Sequence, residues 1–160
     1  MLRIFRTLVV PVAVVSSLSV SFAVGSALAE DEGWPAKDDK PFAEAFIVLQ
    51  LSDQDPLKQD AVLDVANNLI KHYGGPDMVD IEIIAFGPGM RLLIKGNTRE
   101  ARIASLVESG VRFVGCMNTV DTMERKTGQR PALNEHTIPV QTGVAHVVER
   151  ARQGYVLVRP

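Results

Sequence analysis

Short apolar runs alternate with longer stretches of helical spacing from about residue 45 onward. Ala45 to Leu51 reads as a first buried strand, because an unbroken aliphatic run suits a strand covered on both faces. Ser52 to Pro56 then turns the chain, with Asp55 placed to cap a helix and Pro56 at its first position. Leu57, Ala61, Val65 and Leu69 form one ladder, widened by Val62, Ala66 and Ile70. The helix is therefore predicted to run to about Tyr73. Gly74-Gly75-Pro76 stops it.

Val79 to Phe86 is the second predicted strand, with Asp80 and Glu82 interspersed among β-branched residues. Gly87-Pro88-Gly89 follows at once, and residues 90–95 read as a helical turn. Asn97 is the expected cap of a second main helix, with Glu100 placed for a capping box. Ile103, Leu106 and Val107 form its apolar face, and Gly110 ends it. Val111 to Gly115 is the third strand, giving way to a loop at Cys116. A short helix is predicted over 119–126, then a polar loop to Asn134. Ile138-Pro139-Val140 reads as a fourth strand at a sheet edge, where proline is tolerated. Gly143 to Gln153 reads as a helix with Val144, Val147, Val148 and Ala151 on its apolar face and His146 off it, in solvent. Tyr155 to Val158 is the last strand. Strands alternating with helices imply an α/β fold with a mostly parallel sheet of about five strands, covered on both faces. In such sheets ligands bind outside the carboxyl ends of the strands. That places the expected site at residues 52–55, 87–89 and 116–119.

The first residues change the picture of where the protein works. Arg3 and Arg6 precede an apolar run from Leu8 to Val24, and Ala27-Leu28-Ala29 is a small-residue cleavage site followed by Glu30-Asp31-Glu32. These are the three parts of a secretory signal, with cleavage expected after Ala29 and the mature protein periplasmic or secreted. An uncleaved membrane anchor is the alternative. Residues 30–42 read as a flexible lead-in, and 43–160 as one domain. Of 17 basic residues, removal of Arg3 and Arg6 leaves 15 against 19 acidic ones, a net charge of −4. No basic run suggests nucleic acid or an anionic membrane surface as a partner.

Cys116 is the chain's single cysteine, so it cannot form an internal disulfide. It is buried, free and reactive, modified, or paired with another chain. A thiol at the end of a strand, with the N–H groups of a following helix aimed at it, is placed to react as thiolate. Its unperturbed pKa of about 8.5 leaves only a small anionic fraction at neutral pH. The competing reading is a small core hydrophobe. Asn118 and Thr119 either donate hydrogen bonds to the sulfur or a bound oxyanion, or simply cap the next helix. His72, His136 and His146 read as structural, and no pair has metal-ligand spacing. Gly87 and Gly89 lack both the Walker pattern and a full dinucleotide fingerprint, and equally make a tight turn. Asn68, beside Asn67 within the first helix, is disfavoured there, which suggests that it reaches a neighbouring loop or subunit.

With those residues in hand, the chain resembles the DsrE/DsrF-like family of sulfur-handling proteins. The resemblance spans roughly residues 45 to 160. It rests on the first strand and helix with Asn68-Leu69, on "IIAFGPG", on "GVRFVGCMNT" and on the end "VVERARQGYVLVRP". It implies a compact three-layer α/β sandwich and homo-oligomers, commonly trimers or hexamers, with sites near subunit contacts. Active members carry a cysteine after a central strand that accepts sulfane sulfur as a persulfide, and Cys116 matches that position. The implied function is a periplasmic sulfur carrier without a cofactor or metal. Gly87, Gly89, Asn68, Asn118 and Thr119 are expected around the sulfur. The alternative is a non-catalytic oligomeric binding or scaffold domain in which Cys116 is structural. Two departures stand out: familiar relay members are cytoplasmic, and no second cysteine exists here to resolve a persulfide.

Overall fold

The computed structural model describes residues 40–160. The signal segment 1–29, its cleavage site and most of the lead-in 30–42 lie outside the described residues. The elements follow in the order β1 (Ala45–Leu51), α1 (Pro56–His72), β2 (Val79–Ala85), a 3-10 helix (Gly87–Leu93), α2 (Glu100–Glu108), β3 (Arg112–Cys116), α3 (Met117–Thr127), β4 (Thr137–Val140), α4 (Gly143–Arg152) and β5 (Val156–Val158). The five strands form one sheet in the order β4-β3-β2-β1-β5, and every pairing is parallel.

The strand order explains the layers. From β1 to β4 each crossover steps the same way along the sheet, and right-handed connections then keep their helices on one face. Val62, Leu63 and Ala66 of α1, Ile103 and Leu106 of α2 and Val120 of α3 share a single core with Ile81, Ile83 and Phe113. The return from β4 to β5 runs the other way and puts α4 on the opposite face. The result is a three-layer α/β sandwich with a parallel sheet, as the alternation of elements implied.

Local chemistry fixes most element ends. Asp55 caps α1 through its carboxylate, which accepts from Leu57 N at 2.8 Å, and Pro56 opens the helix. The second helix departs from expectation: it begins at Glu100, and 97–99 form a turn. Asn97 Oδ1 accepts from Arg99 N, and Glu100 Oε1 accepts from Gly96 N instead of Asn97 N. Pro139 sits in β4, which is an edge strand as proline requires. The third strand is displaced one residue toward the carboxyl end of the expected span and has no loop after it. Cys116 is its last residue and α3 starts at Met117.

The largest departure is α4. Its inward residues are Gly143, His146, Val147 and Arg150, whereas Val144 and Val148, expected inside, are 53% and 46% exposed. The sheet surface beneath is the reason. The register pairs Phe46 with Asp80, Glu82 with Arg112 and Val48 with Glu82 on one face. That face carries two fully buried acids, so the helix over it must present cations and donors.

Candidate functional site

Cys116 lies on the α4 face of the sheet, opposite Val140 of β4. It occupies the N-cap position of α3, with extended backbone, but its side chain caps nothing in that helix. Sγ–H instead donates to the Gln141 carbonyl at 3.8 Å. The residue is 5% exposed. Gly143, the first residue of α4, packs directly on it: a methyl at that position would lie 3.1 Å from Cys116 Cβ and 3.4 Å from Phe86 Cβ. The thiol thus sits between the starts of two helices, α3 in its own chain direction and α4 above it.

The predicted neighbours are partly assembled. Asn118 N donates to Gln141 O at 3.0 Å, the same carbonyl that takes the thiol. Asn118 Nδ2 donates to Thr142 Oγ1, and Gln141 Nε2 donates to Asn118 Oδ1. Thr119 Oγ1 accepts from Gly87 N at 2.9 Å. Asn118 and Thr119 therefore tie the β4–α4 connection and the start of the 3-10 helix to α3. Neither caps α3, and neither donates a hydrogen bond to the sulfur. Gly87 takes a left-handed backbone, φ +54°, while Gly89 is a close-packing position: a methyl there would lie 2.2 Å from Leu51 O. Asn68 is exposed near the far end of α1, away from the carboxyl edge of the sheet, and the structure does not bring it to Cys116. Sequence reasoning missed Gln141, Thr142, Gly143 and Phe86. Their contacts depend on where α4 begins relative to β3, which no local pattern encodes.

A buried ionic network adjoins the site on the same face. Glu82 is the hub. Arg112 Nε donates to Oε1 at 2.9 Å, Arg150 Nε to Oε2 at 3.0 Å, and His146 Nε2 lies 3.1 Å from Oε2. Arg150 Nη2 lies 2.8 Å from Oε1. Arg112 also pairs with Asp80 at 2.7 Å, and Tyr155 Oη donates to Asp80 Oδ2 while accepting from Arg112. Burial by itself raises the Glu82 carboxyl, but His146, Arg112 and Arg150 overcome burial and hold it at about 2. Burial, then Asp80, pushes the Tyr155 phenol up. The network was not anticipated. The available signal was Asp80 and Glu82, two positions apart on one face of a strand otherwise fit only for a core, which demands buried counter-charges.

No family model matches the chain, and no curated protein matches it. The fold is shared with a solved protein of unknown function from Methanobacterium thermoautotrophicum. That protein is 25% identical, and the alignment covers 73% of this chain and all of the other, with a TM-score of 0.65.

The other features of the surface lie away from Cys116. A cavity of about 440 Å³ opens at the amino-terminal edge of the sheet, between Val107, Val111, Phe113, His136 and Ile138, with Lys40 at its wall. Its cations are already engaged. Lys40 Nζ donates to the carbonyls of Pro76, Val79 and Gly110, and burial pushes its ammonium below the ordinary value. Arg112 is committed to Asp80 and Glu82. Among the described residues no group of three or more histidine, cysteine or acidic side chains is arranged to hold a metal ion. No described helix is long and apolar enough to cross a membrane.

Proposed function

We propose that the protein is an exported sulfur carrier that takes up sulfane sulfur on Cys116 as a persulfide and hands it on. The observation that carries this reading is the position of the thiol: at the carboxyl end of a parallel sheet, in the N-cap position of α3, with the first turn of α4 packed on it. Helix amino termini favour an anion at that place.

The chemistry balances without a cofactor. Cys116 thiolate attacks the outer sulfur of thiosulfate. A new S–S bond forms on Cys116, the bond to the sulfonate sulfur breaks, and sulfite leaves with the electron pair. With polysulfide the leaving group is the chain shortened by one sulfur. The neutral thiol donates to Gln141 O, and an ionised sulfur has no proton for that bond. The reacting sulfur therefore turns away from the carbonyl and toward the helix starts. Release needs a second thiol attacking the outer sulfur, because the chain holds no other cysteine. The acceptor is then another protein or a small thiol. This is carriage, and it does not require turnover.

A specific observation also supports a second reading. Cys116 is nearly enclosed and already hydrogen-bonded, as a structural cysteine in a non-catalytic oligomeric domain would be. One experiment separates the two. The mature protein and Cys116→Ser are incubated with polysulfide or thiosulfate and weighed intact. The carrier reading expects a gain of about 32 Da, one sulfur, in the parent alone, reversed by a reductant. A parent that never gains mass, and whose thiol resists alkylation while folded, supports the structural cysteine.

A further inference from the structure

We propose that His146 and Arg150 are positioning residues for the chemistry at Cys116: through Glu82 they hold the first turn of α4 against the thiol. This rests on the sulfur-carrier reading and adds to it the device that keeps the site assembled.

The argument starts from the inner stripe of α4. Gly143, His146 and Arg150 fall at i, i+3 and i+7, one face of a helix, and all three are buried. Gly143 touches Cys116 at the end of β3. His146 and Arg150 reach Glu82 in the middle of β2. One stripe therefore joins the reactive sulfur to the ionic hub. Val147 is the one aliphatic side chain on that inner face. Aliphatic packing alone tolerates repacking and small slips. An arginine that donates from Nε to one carboxylate oxygen and holds Nη2 2.8 Å from the other, with an imidazole beside the first, constrains the helix by charge and direction. Arg112 and Asp80 hold the hub from below, and Tyr155 closes it from the β5 side. At the thiol end there is no slack, since even a methyl on Gly143 would crowd Cys116 and Phe86. The lock thus sets the distance between the α4 amino terminus and the sulfur, where the dipole acts only within the first turn.

The test reads the thiol independently of any sulfur donor. The rate of Cys116 alkylation by iodoacetamide is measured against pH in the folded protein, its His146→Ala variant and its His146→Gln variant, whose amide can replace Nε2 at Glu82. Sulfur loading from thiosulfate is measured beside it. The expected result for His146→Ala is a half-maximal pH raised by about half a unit to one unit. Loading at neutral pH should fall by roughly three- to tenfold. His146→Gln should return both toward the parent. Should His146→Ala fail to fold, Arg150→Lys takes its place: it keeps the charge but loses the Nε donor to Glu82 Oε2, and the profile should shift the same way. A profile that overlays the parent in the folded variant, whatever its melting temperature, overturns the positioning role. A parent that alkylates but never gains sulfur defeats the carrier reading alone, and the shift in the profile still decides this one.

Discussion

At Gly89 a side chain has nowhere to go. The carbonyl of Leu51 lies 2.2 Å from where a methyl would stand, and that oxygen is backbone at the end of β1. Gly87, two residues earlier, is the reverse case: open space surrounds it, but its φ of +54° favours glycine. The pair looks like a ligand loop in the sequence, and the structure gives each glycine a separate mechanical reason. Gly89→Ala is expected to cost about 3 kcal/mol or more, because backbone must move. Gly87→Ala should cost only about 1–2 kcal/mol, the left-handed penalty. Urea midpoints of the two variants check this, and an equal or larger loss for Gly87→Ala would defeat the packing account. Cys116 itself was legible as a thiol where the third strand ends. Its partner Gln141 was not, because a carbonyl 25 positions away leaves no mark in local spacing.

Helix α4 shows where reading by apolar period breaks down. Val144, Val147, Val148 and Ala151 form a stripe at helical spacing, and such a stripe ordinarily marks the core side. Here Val147 alone of the valines faces in, because the sheet beneath α4 carries Asp80 and Glu82 and selects His146 and Arg150. In α1 the period is right in kind and turned in phase: Val62 and Ala66 are buried with Gln59 and Leu63, while Leu57, the first rung of the expected ladder, is 75% exposed. The inverted valines have a consequence of their own. Val144 and Val148 are joined in exposure by Val156, Leu157 and Val158 of β5, an edge strand with one neighbour. Apolar side chains on an open sheet edge favour association, which supports the proposal that the protein works as a homo-oligomer. Sedimentation velocity should find an assembly in the parent and a smaller species in Val148→Lys with Leu157→Lys, with unchanged far-ultraviolet circular dichroism. A monomeric parent at micromolar concentration would remove that proposal.

For the whole molecule, the buried network makes stability a function of pH. Two carboxylates, Asp80 and Glu82, face two guanidiniums, Arg112 and Arg150, across the interior layer between sheet and α4. Glu82 titrates at about 2 in the folded protein, below its ordinary 4.5. A carboxyl depressed by folding contributes stability that is complete above its unfolded value and is lost as pH falls toward the folded one. The window is therefore from about pH 4.5 down to about 2, and the shift corresponds to about 3 kcal/mol. Glu82→Gln should behave in the opposite manner. It leaves Arg112 and Arg150 with one carboxylate fewer, so it is less stable at neutral pH, by roughly 3–5 kcal/mol. It should also lose less on acidification, because the titrating group is gone. Urea unfolding at neutral pH and at several points within that window gives both slopes. Parallel loss in parent and variant would mean that exposed acids such as Asp60 and Asp64, paired with Arg99 and Arg102 on the other face, set the acid limit. Those pairs are screened by salt, and the buried Glu82 hub much less so. A parent-only slope that persists in molar salt therefore assigns the acid sensitivity to the interior, to the same contacts that hold α4 over Cys116.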